Sequence, residues 1–170
     1  MRVFLYEWIT GGGLVDQLGS LPDSLLREGS AIVSALAADF LSLGNCEVVV
    51  LRDMRLLEPA LPGCRVAEVH SSEHWEELFD RFADEADFSL IVAPEFDGIL
   101  RRTLNRSSLS NGGSLNASDE FVSLASDKTM TCERLAAAGL PTPSSLLMDA
   151  DQERLPREFT YPGVLYKKQD

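Results

Sequence analysis

Short β-branched and aliphatic runs alternate with longer stretches of helical spacing through the first hundred residues, and that alternation leaves few folds open. Residues 2–6 (RVFLY) read as a strand ending in the polar turn Thr10-Gly11-Gly12-Gly13, a flexible loop at the sheet edge. From residue 25 to 43 apolar side chains recur at helical spacing, and Gly44-Asn45 stops the run. Residues 47–51 (EVVVL) are nearly continuous in apolar character, the pattern of a strand covered on both faces of a parallel sheet. A further strand is expected at 65–69. It is followed by a helix over 72–86, capped by Ser72, with Glu73, Glu76 and Glu77 favourably near its positive end. Residues 88–93 (FSLIVA) form another buried strand, stopped by Pro94, and a short helix over 97–104 takes Asp97 as its cap. Parallel strands need crossover connections, so the class is α/β: a Rossmann-like unit with helices on both faces of a parallel sheet.

The second part of the chain reads differently. Residues 105–119 (NRSSLSNGGSLNASD) are the most polar stretch and predict a loop around a short strand at 114–115. A helix over 128–138 closes at Gly139 and Pro141, a strand follows at 144–148, and residues 149–158 form an acidic connection. Residues 164–167 open one more strand, which the sequence leaves without a partner, so the chain reads as incomplete. The expected division is 1–118 and 119–170. An unpaired apolar strand is a pairing hazard, so self-association is expected through it.

Charge narrows the function classes. The net charge is −12 and the basic residues are scattered, whereas a phosphate backbone or an anionic membrane surface calls for a dense basic patch. Nucleic acid and membrane are not expected partners. No window approaches the roughly 18 apolar residues of a membrane span, and Glu7 comes too early for a signal-peptide core. Cys46, Cys64 and Cys132 are odd in number and without a CxxC pair, which fits reduced thiols in the cytoplasm.

Several motifs carry possible chemistry. The loop Gly11-Gly12-Gly13 follows the first strand, but Asp16 occupies the position where the dinucleotide pattern GxGxxG needs its last glycine. With Glu7 beside it, this loop is a candidate ligand-binding edge. His70-Ser71-Ser72-Glu73-His74 matches the string HxxEH. Its first histidine ends a strand rather than sharing a helix with the second, so no metal site is assigned. Glu95 follows the strand FSLIVA and has two readings: it orients an amine or ribose hydroxyl, or it caps the next helix. Ser126-Asp127-Lys128 starts a helix, and Ser126 or Asp127 can satisfy its free N–H groups. The helix dipole disfavours a first-turn lysine unless a phosphate lies nearby.

The pattern S-D-K-x(6)-L-x(3)-G-L-P-x-P, followed by P-G-V-L-Y-K-x-x-D, resembles the signature of ATP-grasp carboxylate–amine ligases. Glu7 with Gly11-Gly12-Gly13-Leu14, then Leu26-Arg27-Glu28-Gly29 and Ala93-Pro94-Glu95, is similar to the subgroup that includes tyramine–glutamate ligase. The resemblance implies a Rossmann-like pre-ATP-grasp domain followed by the start of an ATP-grasp subdomain. It also implies ATP and Mg2+ as cofactors, an amino-acid-like carboxylate as substrate, and an acylphosphate intermediate. By position Lys128 and Lys167 match the family's phosphate-binding lysines, while Lys168 stands where the family usually has proline. Glu7, Gly11, Gly12, Gly13 and Glu95 fall on the substrate side. The glycine-rich loop, adenine hinge and magnesium carboxylates of the family lie later in its pattern, so this chain alone is expected to be inactive and at best a weak ATP binder. The alternative is a Rossmann-like small-ligand or interaction module without catalysis.

Overall fold

The computed structural model describes residues 1–143. The expected strands at 144–148 and 164–167, with Lys167 and Lys168, lie outside the described residues. The chain divides into two compact units, residues 1–119 and 120–170.

In the first unit five strands, β1 (Arg2–Glu7), β2 (Glu47–Asp53), β3 (Arg65–Val69), β4 (Phe88–Val92) and β5 (Gly113–Ser114), form one sheet. Their order is β3-β2-β1-β4-β5, and each neighbouring pair is parallel. Side chains alternate across the pleat, so the four longer strands feed two cores. Leu5, Val48 and Val50 face α1 (Asp23–Ser42), which contributes Val33 and Ala37. Phe4, Tyr6, Val49, Leu51 and Ile91 face the opposite side, against Leu78, Phe79 and Phe82 of α2 (Ser72–Glu85). The aromatic residues on that side meet edge to face, Phe4 on Phe79 at 5.2 Å and Tyr6 on Phe79 at 5.1 Å. α3 (Ile99–Ser107) packs beside α2 and over β4. The expected α/β class with a parallel sheet is therefore the observed one.

Three local expectations are corrected. Ser71, not Ser72, caps α2: its side chain accepts the His74 N–H at 3.2 Å. Asp97 is not a helix cap. It sits at φ 53 inside a short 3₁₀ turn, Phe96–Gly98, and Gly98 at φ 64 precedes α3, because the chain must reverse sharply on leaving β4. The polar stretch after residue 105 is also more helical than its composition suggests. α3 runs on to Ser107, and a further helix, α4 (Asp119–Ser126), precedes α5 (Lys128–Ala137).

Candidate functional site

From β1 the chain winds outward through β2 and β3, then returns to the other flank of β1 as β4. In open α/β sheets such a reversal opens a crevice at the carboxyl ends of the two central strands. Here a cavity of about 800 Å³ lies there. Its lining comes from the loop after β1, the start of α2, the turn after β4 and the inner face of α3.

The floor of this crevice is built from β1 outward. Glu7 is the last residue of the strand, and its side chain turns inward and is buried. The Ile9 N–H, the Thr10 N–H and the Thr10 hydroxyl all donate to its carboxylate, at 3.1, 2.8 and 2.7 Å. α1 makes room for this by carrying Gly29 at the contact, since a β-carbon there would stand 2.5 Å from Glu7 Oε2. The next turns close with Gly11 N–H to the Glu7 carbonyl and Gly13 N–H to the Trp8 carbonyl, both 2.8 Å. Gly12 adopts φ +92 against Val69, a conformation that suits glycine.

The loop expected to be flexible is instead tied down from outside. Asp53, fully buried at the end of β2, donates its N–H to the Thr10 carbonyl at 2.7 Å. Its carboxylate receives the Arg55 guanidinium through Nε at 2.9 Å and Nη2 at 2.6 Å. That same guanidinium donates to the carbonyls of Leu14 at 2.7 Å and Gln17 at 2.8 Å. The hydrogen bond with Asp53 also raises the Arg55 pKa. A third tie comes from Asp16, whose side chain accepts the Ser72 N–H at the start of α2, at 3.2 Å. Asp53 and Arg55 were not singled out in the sequence. The one visible signal was an aspartate closing an otherwise apolar strand.

The walls are aromatic and charged. Trp8 donates its N–H to the Val92 carbonyl at 2.9 Å, bringing the ends of β1 and β4 together, and its ring meets Phe96 edge to face at 6.3 Å. Trp75 donates its indole N–H to the Tyr6 hydroxyl at 2.9 Å, which leaves its ring as a wall. Burial pushes the Tyr6 phenol well above its ordinary pKa. Arg106 lies over the Trp75 ring at 5.4 Å and is neutralised by Asp80 at 2.7 Å and Glu76 at 3.2 Å. Arg102 donates instead to the backbone carbonyl of Asp97.

Of the residues expected on the substrate side, Gly12 and Gly13 line the cavity, while Glu7 and Gly11 support it from beneath. Glu95 is exposed on the turn after β4, makes no side-chain cap, and does not line the cavity. His70 and His74 stack at 5.3 Å, and no group of three or more metal-ligating side chains occurs among the described residues. In the second unit Lys128 is the first residue of α5 and is exposed. The cap is Asp127, which accepts the Met130 N–H at 2.9 Å.

Comparison with known proteins adds an independent line. Residues 46–122 match the pre ATP-grasp 3 domain, a span that takes in β2 through the first half of α4 and leaves β1 and its loop outside. The fold of the first unit is Rossmann-like α/β. The chain is similar to a crystal structure from Archaeoglobus fulgidus described as an ATP-grasp superfamily protein, with 21% identity and a TM-score of 0.57 over 81% of this chain. The chain spans 40% of that structure's length. No curated protein matches the sequence.

Proposed function

We propose that this chain supplies the front part of an ATP-dependent carboxylate–amine ligase. The observation that carries the reading is the order of parts along the chain. A segment matching a pre-ATP-grasp domain leads into an Asp127-capped helix whose first residue is the exposed Lys128. A lysine at that end opposes the helix dipole, so it gains most where a phosphate sits beside it and accepts both its charge and the free N–H groups. In this proposal Lys128 and Lys167 neutralise ATP phosphates. Phosphoryl transfer to a carboxylate gives an acylphosphate that an amine then attacks, a reaction catalysed mainly by positioning and charge neutralisation. Magnesium would belong to the same chemistry, but the described residues hold no group of three or more ligands for it.

The crevice at β1 and β4 is the candidate site for the non-nucleotide substrate. Gly12 and Gly13 let backbone approach the ligand, Glu7 and Gly11 hold their turn in place, and Glu95 stands outside the lining, exposed on the turn after β4. A specific observation favours a second reading, a small-ligand module without catalysis: the crevice is built entirely from residues of the first unit.

Titration of the full chain with MgATP separates the two. Weak saturable binding that falls several-fold in both Lys128→Ala and Lys167→Ala is the ligase expectation. Unchanged affinity in both variants would favour the small-ligand module.

A further inference from the structure

Not all of the cavity's charges are paired with an opposite charge. Glu76 and Arg106 form an ion pair, while Asp16 has the Ser72 N–H as its partner. Two further charges adjoin each other where the turn after β4 leads into α3. The Arg102 guanidinium has only a backbone carbonyl as partner among the described residues, and the Asp97 carboxylate has none. That carbonyl belongs to Asp97 itself, so an unneutralised cation and an unneutralised anion sit side by side without forming an ion pair. The positive φ of Asp97 and the close approach of Arg102 to Gly98, whose β-carbon would lie 3.4 Å from Nη1, hold this arrangement on the turn after β4. The other walls are apolar and flat: Trp8, Trp75 and Phe96.

A zwitterionic head group beside an aromatic body complements this arrangement on both counts. A guanidinium prefers a carboxylate over a neutral carbonyl, and ring stacking rewards a flat side chain. We propose that the crevice binds a free aromatic α-amino acid, with its carboxylate on Arg102, its ammonium on Asp97 and its ring among Trp8, Trp75 and Phe96. This rests on the reading of the crevice as the substrate side of the protein and names its occupant. It needs neither nucleotide nor the second unit.

Calorimetric titration of the full chain, without ATP, provides the test. L-Phenylalanine is expected to bind saturably. 3-Phenylpropanoate lacks the ammonium and 2-phenylethylamine lacks the carboxylate, so each is expected to bind about 10-fold more weakly. L-Alanine, which has no ring, should give no measurable heat. Arg102→Gln should weaken L-phenylalanine about 10-fold and leave 2-phenylethylamine unchanged, while Asp97→Asn should weaken L-phenylalanine and leave 3-phenylpropanoate unchanged. Asparagine tolerates the same positive φ, and both positions are exposed, so the melting temperature serves as a folding control. Absence of saturable heat with L-phenylalanine would overturn the proposal, as would either one-charge analogue binding as tightly as the zwitterion. Because the ligand series uses the unaltered chain and omits ATP, its failure is distinct from a failure of the ligase reading.

Discussion

At the scale of single residues, Glu7 and Tyr6 show how neighbours on one strand serve opposite faces. Glu7 faces α1 and accepts three hydrogen bonds in a buried site. Glu7→Gln would place an amide donor among N–H and O–H donors, so a loss of about 1–3 kcal/mol is expected in urea denaturation. Gly29→Ala should also destabilise, by about 1–3 kcal/mol, because its new methyl would press on the same carboxylate. Tyr6 faces α2, and burial pushes its phenol up. The unfolded chain therefore releases that proton near pH 10 while the folded chain keeps it, so folding stability falls as pH rises past that point. The contribution of Tyr6 should approach about 1.4 kcal/mol per pH unit. Alkaline denaturation should show that share of the slope disappearing in Tyr6→Phe.

At the scale of elements, the loop after β1 is held chiefly by the Asp53–Arg55 pair at the end of β2. Arg55→Ala leaves the Asp53 carboxylate buried without its cation, for which a loss of about 3 kcal/mol is expected. The double variant Asp53→Ala/Arg55→Ala should lose less than the two single losses combined, a non-additivity that a double-mutant cycle in urea reads directly. Beyond an aspartate closing an apolar strand, none of this was legible in advance. Apolar periodicity identifies β1, β2, β3, β4, α1 and α2 because burial imposes it, and their boundaries came within a few residues of those observed. The glycine loop looked free because composition reports local preference, whereas its restraint comes from a guanidinium nearly forty positions away. α4 was missed for a related reason. The polar run before it suggested continued loop, and eight residues are too few to display a helical period clearly. Asp97 illustrates a third limit: aspartate before a helix usually signals a cap, and nothing local distinguishes that from a left-handed turn residue.

At the scale of the whole molecule, the first unit presents a doubly wound sheet with a crevice at its strand reversal, and the second contains a capped helix, α5, whose first residue is a lysine. Among the described residues no helix is long and apolar enough to cross a membrane. The fold was readable from periodicity. The proposed nucleotide role of Lys128 was suggested by a motif whose local physics, a lysine against a helix dipole, otherwise lacks a rationale. In the proposed role nucleotide lies at that helix and not at the glycine loop that superficially resembles a phosphate-binding turn. The most direct test is an amide-resolved NMR titration of the full chain with MgATP. Shifts centred on the N–H groups of Lys128, Thr129 and Met130, with the Gly11–Gly13 amides unmoved, are the predicted result. Shifts centred on Gly11, Gly12 and Gly13 with α5 silent would contradict it.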